Sequence, residues 1–233
     1  MSARPFGPNS PTVIDVRDAG PIGPAARPDY GLLACDPLDP RGERIRALRT
    51  ELMLRGGQSA RADFVALLSP CTGEGRSILA AELALAFAQT GRSTLLVDSD
   101  LRRPRQHDLF GTDNRMGLSQ AICTGEPPLL RSVEGFRNMS LLTAGLIPPN
   151  PLELLSSDTF GALVERWRRT FEVVVFDTAP MKHYADALAV ASHVGRVLAL
   201  SRAEHTPANE LRDMLRRLAV TRSHILGAVI NRF

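Results

Sequence analysis

The residues with the clearest chemical potential occupy positions 69–77, SPCTGEGRS. An apolar run precedes this segment and a helical pattern follows it, which predicts a loop joining a strand to a helix. In a glycine-containing loop of this kind, backbone N–H groups bind phosphate oxygens, a basic side chain such as Arg76 reaches the terminal phosphates, and a hydroxyl such as Ser77 holds Mg²⁺. The match to the pattern GxxxxGK[ST] is incomplete, since Pro70 replaces the first glycine and Arg76 the lysine. An ordinary strand-to-helix turn is the alternative that the loop alone leaves open.

Three aspartates stand at the ends of two other apolar runs: Asp98 and Asp100 close LLVDSD, and Asp177 closes VVVFD. The carboxyl ends of parallel strands meet at one edge of a sheet, so these carboxylates are expected to converge beside the phosphate loop. Like charges are costly to keep together, and a magnesium nucleotide would supply the missing positive charge. Mg²⁺ prefers one or two carboxylates with a hydroxyl and phosphate oxygens, which favours Ser77, Asp177 and one of the first two aspartates. A helix cap or turn residue is the alternative at each aspartate taken singly.

The elements that would position these residues alternate along the chain. Six short apolar runs are continuous rather than alternating, which is typical of strands covered on both faces of a parallel sheet. The runs lie at residues 64–68, 94–97, 141–143, 173–176, 197–200 and 225–230, and helical periodicity occupies residues 77–90, 157–168, 185–192 and 206–218. This order predicts an α/β fold with a doubly wound, mostly parallel sheet that binds ligands at the carboxyl ends of its strands.

The first 40 residues differ in composition from the rest. They hold eight of the chain's 17 prolines, several glycines and no helical or strand periodicity. Such a segment buries too little apolar surface to offset its ordering entropy, so residues 1–40 are predicted to be a flexible Pro/Gly-rich tail. From residue 43 onward, apolar residues recur at helical spacing before a Gly56–Gly57 stop. One nucleotide-binding domain is therefore predicted over residues 41–233.

Composition excludes several classes of protein. The 233 residues contain no run of the ~18 apolar residues that a membrane span needs, and no secretory signal is apparent, so a cytoplasmic location is expected. The cysteines Cys35, Cys71 and Cys123 lack CxxC spacing, which argues against a disulfide framework or a zinc site. The net charge of +3 and the basic run at residues 102–105, which lacks stacking aromatics, do not favour nucleic acid as a partner. Lys182 is the only lysine.

These motifs together resemble the bacterial tyrosine autokinases of polysaccharide export. The resemblance is carried by the stretch from Val65 to Phe110, which includes LLVDSDLRRPRQH, and by AGLIPPNPLELL, the Asp177 strand, YADA and GAVINRF. It covers roughly residues 43–233 and is closest to the chain-length-determinant, or EpsG-like, members. The resemblance implies a P-loop fold of the MinD and ParA kind, with ATP and Mg²⁺ as cofactors.

The resemblance also implies catalytic and metal-binding roles. Arg76 and Ser77 match the Walker A lysine and hydroxyl, and Asp177 matches the Walker B aspartate. Of the two Walker A′ aspartates, Asp98 is the first candidate to orient or deprotonate the attacking phenol, while Asp100 holds Mg²⁺ with Asp177. The implied catalytic residues are Asp98, Asp100 and Arg76, and the implied metal ligands are Ser77, Asp98, Asp100 and Asp177.

The nucleotide contacts implied by the resemblance extend beyond the loop. Arg102 belongs to the Walker A′ pattern. Asn231 matches a position that meets adenine in related folds, and a plain strand-end residue is the open alternative there. The implied contacts are Gly73, Glu74, Gly75, Arg76, Ser77, Ile78, Arg102 and Asn231.

A further match concerns assembly. Glu43, Arg46 and Arg49 fit the ExxRxxR pattern that these kinases use for subunit contacts in rings, which implies a homo-oligomer. On a helix these three side chains cover about 120° of surface. The alternative is a solvated face with an intrahelical Glu43–Arg46 pair worth ~0.2 to 0.5 kcal/mol.

Two features depart from the family pattern. The first is Arg76, because guanidinium keeps the charge of lysine but is larger and planar, which leaves the catalytic rate open. The second is the carboxyl terminus, where the family has a tyrosine cluster and this sequence has none. Its only tyrosines are Tyr30 and Tyr184. Autophosphorylation of a tail is therefore an open question.

The leading interpretation is an Mg-ATP-dependent tyrosine autokinase or ATPase that acts in exopolysaccharide chain-length control or export. The resemblance implies a separate membrane-embedded co-polymerase as partner, which would place the protein at the inner membrane from the cytoplasmic side. Two alternatives stay open: a nucleotide-gated scaffold with weak catalysis, and a MinD- or ParA-type positioning ATPase, whose signature lysine is replaced here by Cys71. If the N–H groups of the loop favoured a Cys71 thiolate, alkylation there would block ATP binding.

Overall fold

A computed structural model describes residues 22–28, 39–55 and 63–232. Within them, eight strands form one sheet in the order β1-β4-β5-β3-β6-β2-β7-β8. The strands are β1 Ile22–Ala26, β2 Asp63–Leu68, β3 Thr94–Asp98, β4 Leu130–Val133, β5 Phe136–Leu142, β6 Val173–Asp177, β7 Arg196–Arg202 and β8 His224–Asn231. Every neighbouring pair is parallel except β4 with β5. The predicted mostly parallel sheet is confirmed.

Helices cover both faces of this sheet. They are α1 Pro40–Arg55, α2 Arg76–Ala88, α3 Gln106–Leu109, α4 Leu118–Thr124, α5 Pro151–Leu155, α6 Asp158–Thr170, α7 Asp186–Val194 and α8 Ala208–Leu218. On one face Trp167 of α6 packs beside Phe64 and Phe176 of the sheet. On the other face Phe87 of α2 lies in a second apolar cluster with Ile45 of α1. The sheet is therefore doubly wound, with a core on each side.

The burial of the central strands explains why their sequences are continuously apolar. Every residue of β3 and β6 is buried, because helices cover both faces there. In the parallel register Asp98 of β3 pairs with Asp177 of β6, and Asp177 also pairs with Leu67 of β2. Two carboxylates and the start of the phosphate loop thus reach the same edge of the sheet.

The segment predicted to be a flexible tail departs from that prediction at Ile22–Ala26. These residues form the edge strand β1, which runs parallel to β4. The backbone N–H of Arg27 also donates to the Phe110 carbonyl over 2.9 Å. An edge strand pairs on one side only and therefore tolerates proline. For this reason the Pro-rich sequence showed no sign of a strand at Ile22–Ala26. The division of the chain near residue 40 otherwise stays a prediction, and Tyr30, Cys35 and Gly56–Gly57 lie outside the described residues.

In the described part of the chain, no helix combines the length and the apolar character needed to cross a membrane.

Candidate functional site

The phosphate loop joins the central strand β2 to α2. Gly73 and Gly75 both take left-handed backbone conformations, with φ of +75° and +86°. A residue with a side chain would be strained at either position, which explains why the sequence has glycine there. Gly75 immediately precedes the first turn of α2, so the loop and the amino terminus of α2 open together at the carboxyl edge of the sheet. This geometry suits anion binding by backbone N–H groups. Ser77 and Ile78 follow in the first turn and are half-buried.

Glu74 supports the loop from within. Its side chain is 1% exposed. One carboxylate oxygen accepts the backbone N–H of Cys71 over 2.8 Å, and the other accepts the hydroxyl of Thr206, which follows β7. The Glu74 side chain therefore holds the loop in shape, and a contact between this residue and a nucleotide stays a prediction.

Asn231 reaches the same loop from the end of β8. Its side-chain amide donates to the Glu74 carbonyl over 3.1 Å. It also lines an open groove of about 720 Å³ between α1, α2 and β8, together with Ile45 and Leu79. Its contact with an adenine stays a prediction.

Arg76 lies among the aspartates. This first residue of α2 is 8% exposed. Its Nη2 is 3.6 Å from Oδ2 of Asp100, its Nε is 3.5 Å from Oδ1 of Asp177, and its Nη1 donates to the Ser69 hydroxyl. The guanidinium is therefore a counter-ion to two buried carboxylates, the position where the sequence predicted a magnesium ion.

Asp98 is fully buried and bound to the backbone. Its Oδ2 accepts the N–H groups of Arg105 and Gln106 over 3.1 and 2.9 Å, and its Oδ1 accepts that of Asp100 over 3.2 Å. Burial, together with the charge of Asp177, raises the pKa of Asp98 well above its ordinary value. Its hydrogen bonds hold the turn that follows β3.

Asp100 and Asp177 each keep one oxygen toward Arg76. The other oxygen of Asp100 accepts the backbone N–H groups of Arg102 and Arg103 over 3.1 and 2.9 Å. Burial raises the pKa of Asp177, and the charge of Arg76 partly offsets that rise. Within the described residues, Oδ1 of Asp177 accepts no hydrogen bond.

Gln106 lies within the site, although its residue type did not indicate a role there. Its side-chain amide donates to Oδ2 of Asp177 over 2.8 Å and to the carbonyl of Ser77 over 2.9 Å. Its motif position, eight residues after Asp98, gave no chemical signal, because glutamine is neither an ionisable group nor a common metal ligand.

The site fits a magnesium nucleotide better than a bare metal. In the described part of the chain, no three His, Cys, Asp or Glu side chains form a group that could hold a metal ion. Mg²⁺ commonly takes only one or two carboxylates and completes its shell with phosphate oxygens and water. The oxygen of Asp177 that accepts no hydrogen bond, beside the N–H groups of the loop, matches that donor set.

Comparison with known proteins identifies the family. No family model matches the chain. It is 34% identical over 200 residues to the tyrosine-protein kinase YwqD of Bacillus subtilis, covering 84% of this chain and 83% of that protein. The chain belongs to the family of bacterial tyrosine-protein kinases. A relative from Ralstonia solanacearum named EpsB is 32% identical over 226 residues, which is 96% of this chain and 30% of the relative. The chain thus spans less than a third of that larger kinase.

Solved kinase domains of this family share the fold. The kinase domain of Escherichia coli tyrosine kinase ETK superposes with a TM-score of 0.80 at 32% identity, covering 86% of this chain and 79% of that one. The chimerical protein CapA2B2 superposes with a TM-score of 0.81 at 30% identity, covering 92% and 94%. The cell division ATPase MinD of Pyrococcus furiosus, at 22% identity and a TM-score of 0.61, shares the fold alone. The predicted P-loop fold is confirmed.

Arg102, the Walker A′ arginine of the tyrosine kinase pattern, is paired within the chain. Its guanidinium binds both carboxylate oxygens of Asp186, at 2.5 and 3.0 Å, and lies 4.0 Å above the ring of Tyr184. The hydrogen bond to Asp186 raises the pKa of Arg102. The pair joins the turn after β3 to the start of α7. A contact between Arg102 and a nucleotide stays a prediction.

The ExxRxxR residues of α1 do not share one free surface. Arg46 bonds Glu43 over 2.9 Å on the outer side of the helix. Arg49 instead donates to the Ala86 carbonyl of α2 over 3.1 Å and is half-buried. Glu43 and Arg46 could contact a second copy of the chain without changing conformation, whereas Arg49 holds α1 against α2 of its own domain. The subunit interface stays a prediction.

Cys71 does not show the character of a reactive thiolate. Burial and the nearby charge of Glu74 raise the pKa of its thiol. The thiolate is therefore disfavoured, contrary to the condition under which alkylation was expected to block ATP binding. Cys71 lies where positioning ATPases carry their signature lysine, and it supplies neither the charge nor the reach of that residue.

Proposed function

We propose that the chain is an Mg-ATP-dependent protein-tyrosine kinase. The observation that carries the proposal is the convergence of the phosphate loop with Arg76 and two buried aspartates, Asp100 and Asp177, on the kinase-domain fold. Phosphoryl transfer needs mainly positioning and charge neutralisation, and this arrangement offers both.

Each group has a defined task in this proposal. The N–H groups of the loop and of the first turn of α2 bind the phosphates, with Arg76 turning from the carboxylates toward the terminal phosphate. Ser77, Asp100 and Asp177 would hold Mg²⁺, which would supply positive charge to the phosphates. Among the described residues, both oxygens of Asp98 accept backbone N–H groups, whereas Oδ2 of Asp100 accepts none. This makes Asp100 the better of the two aspartates to reach the metal and leaves Asp98 as the candidate to orient the attacking phenol.

The test is direct. The purified chain is incubated with Mg-ATP and a tyrosine-containing polymer substrate, and phosphotyrosine is mapped by mass spectrometry. We expect phosphotyrosine with the wild type and a loss of at least about 100-fold with Asp177→Asn, because the metal loses its buried carboxylate. An equally active Asp177→Asn variant would contradict the assigned site.

A catalytically weak, nucleotide-gated scaffold is the second candidate. The observation in its favour is that Arg76 already neutralises Asp100 and Asp177. Tight Mg-ATP binding without phosphotyrosine, in the presence or absence of a membrane partner's cytosolic segment, would favour the scaffold. A MinD- or ParA-type positioning ATPase has less support, since Cys71 replaces the signature lysine and the kinase domains superpose more closely.

The cellular role that we propose is exopolysaccharide chain-length control or export with a separate membrane-embedded co-polymerase. The protein would then be cytoplasmic and would reach the inner membrane through that partner. Deleting the gene should shift the length distribution of the secreted polymer, and restoring the wild type, but not Asp177→Asn, should reverse the shift. An unchanged distribution would remove this role.

A further inference from the structure

Gln106 connects three parts of the site. Its side-chain amide donates to the Ser77 carbonyl in the first turn of α2 and to Oδ2 of Asp177 at the end of β6. Its backbone N–H donates to Oδ2 of Asp98 at the end of β3. The residue is fully buried, so no water competes for these bonds. Gln106 therefore ties the first turn of α2 to both Asp98 and Asp177.

The amide fixes which oxygen of Asp177 remains available. A primary amide has two N–H donors, and here both are used, one on Ser77 and one on Asp177. Because Oδ2 of Asp177 is held by Gln106, Oδ1 is the oxygen turned toward Arg76, with its Nε at 3.5 Å. A glutamate at position 106 could not donate in this way, and a shorter side chain could not span both acceptors.

Two buried acceptors at this point accept no hydrogen bond from the described residues. Among these residues, Oε1 of Gln106 has no hydrogen-bond partner, and Oδ1 of Asp177 has only the ion pair with Nε of Arg76 at 3.5 Å. Unpartnered buried acceptors are rare in folded proteins and call for a specific explanation. Both oxygens belong to side chains that are joined by the hydrogen bond from Gln106 to Oδ2 of Asp177, so both lie at the same part of the site.

We propose that Gln106 is a positioning residue for the metal of the nucleotide complex. By holding Oδ2 of Asp177 it would leave Oδ1 for Mg²⁺, and its own Oε1, which accepts no hydrogen bond from the described residues, would be available as an acceptor beside that metal. This inference rests on the proposed Mg-nucleotide function. It predicts that replacing Gln106 reduces the gain in nucleotide affinity that Mg²⁺ provides. The affinity of the loop for the phosphates without Mg²⁺ should stay the same.

The experiment measures the affinity of the full chain for a fluorescent ADP analogue, once with Mg²⁺ and once with EDTA. The ratio of the two affinities is the coupling between metal and nucleotide. For Gln106→Met, which keeps the volume but removes both donors, we expect an EDTA affinity within about twofold of wild type and a coupling reduced about tenfold. Gln106→Glu, which keeps an oxygen but repels Asp177, should lose the coupling as well.

The matched control is Asn114→Ala. The side-chain amide of Asn114 also bonds backbone: it donates to the Gly145 carbonyl and accepts the Gly145 N–H, each over 2.9 Å. Within the described residues, Asn114 makes no hydrogen bond with Asp98, Asp100 or Asp177. It should keep the wild-type coupling. Wild-type coupling in either Gln106 variant that folds by circular dichroism overturns the proposal. If the wild type itself binds the nucleotide no better with Mg²⁺, the proposed Mg-nucleotide function fails, and this inference falls with it.

Discussion

At the scale of single residues, Arg76 has two competing sets of partners. It now contacts Asp100, Asp177 and the Ser69 hydroxyl, whereas the proposed function requires it at the phosphates. A guanidinium that leaves the carboxylates exposes two buried negative charges, which Mg²⁺ can then neutralise. If the proposed function is correct, arginine in place of the usual lysine would couple nucleotide entry to metal entry.

Arg76→Ala should destabilise the nucleotide-free protein by about 3 kcal/mol, because removing one partner of a buried ion pair leaves uncompensated charge. Urea unfolding measures the change. Added Mg-ADP should recover part of the loss through the metal's charge. The matched control is Arg115→Ala, whose exposed pair with Asp113 should contribute less than about 1 kcal/mol. Equal effects of the two substitutions would contradict a counter-ion role for Arg76.

Asp177→Asn should change the pH dependence of stability. Burial raises the pKa of Asp177 in the folded protein, so folding favours its protonated form. Burying the charged carboxylate lowers the free energy of unfolding of the wild type. This loss is absent at a pH below the pKa of Asp177 in the unfolded chain, and it grows as pH rises through the pKa of Asp177 in the folded protein. The stability of Asp177→Asn relative to wild type should therefore increase with pH across that window. Denaturant unfolding at several pH values without nucleotide tests this, and a constant difference would count against it.

Sequence reasoning found the charged residues of the site because their chemistry is visible in their type. Asp98, Asp100 and Asp177 end apolar strands, and strand ends of a parallel sheet converge. It could not find Gln106, which opens a helix of only four residues and is neutral. It also could not anticipate that Arg76 would turn toward the aspartates, since that depends on side-chain packing rather than spacing.

At the scale of elements, the segment between β7 and α8 supports the phosphate loop. The Thr206 hydroxyl donates to the buried Glu74 carboxylate, Arg202 donates to the Gly73 carbonyl over 3.1 Å, and His205 approaches the Thr72 carbonyl at 3.1 Å. These contacts reach the Glu74 carboxylate and the carbonyls of the loop rather than the aspartates, so we expect them to set the loop's shape.

Thr206→Val should weaken nucleotide binding. It preserves side-chain shape but leaves a buried carboxylate oxygen of Glu74 without its donor, at a cost of about 1 to 3 kcal/mol. We expect ADP affinity to fall about tenfold in Mg²⁺ and EDTA alike, as measured by titration calorimetry. Thr124→Val, at an exposed helix end, is the matched control and should bind as wild type. A loss confined to the Mg²⁺ condition would contradict a loop-shaping role.

Whether a strand could be predicted from the sequence depends on how that strand is buried. The central strands could be predicted because burial on both faces forces continuous apolar sequence. β1 and β4 could not, since β1 reads IGPAA at the sheet edge and β4 carries Arg131 in a strand of four residues. Short and peripheral strands depend on their neighbours more than on their own composition.

At the scale of the whole molecule, the prediction of a homo-oligomer concerns the outer side of α1. If Glu43 and Arg46 bind a second copy, Glu43→Ala with Arg46→Ala should shift the light-scattering mass toward the monomer. The intrahelical pair itself adds only about 0.2 to 0.5 kcal/mol, so the fold should persist. The paired control is Asp213→Ala with Arg216→Ala, an equivalent exposed pair on α8. An unchanged mass in the first variant would remove the interface.

The strand order has a consequence for how such a protein can diverge. β2 separates the sheet into two halves: β6 and β3 carry the aspartates on one side, and β7 and β8 lead to the loop supports on the other. Substitutions on the aspartate side are expected to slow phosphoryl transfer, and substitutions on the support side are expected to weaken nucleotide binding through the shape of the loop. Because Arg76 and Gln106 link the loop to the aspartates, the two properties are expected to change together where a lineage alters either residue.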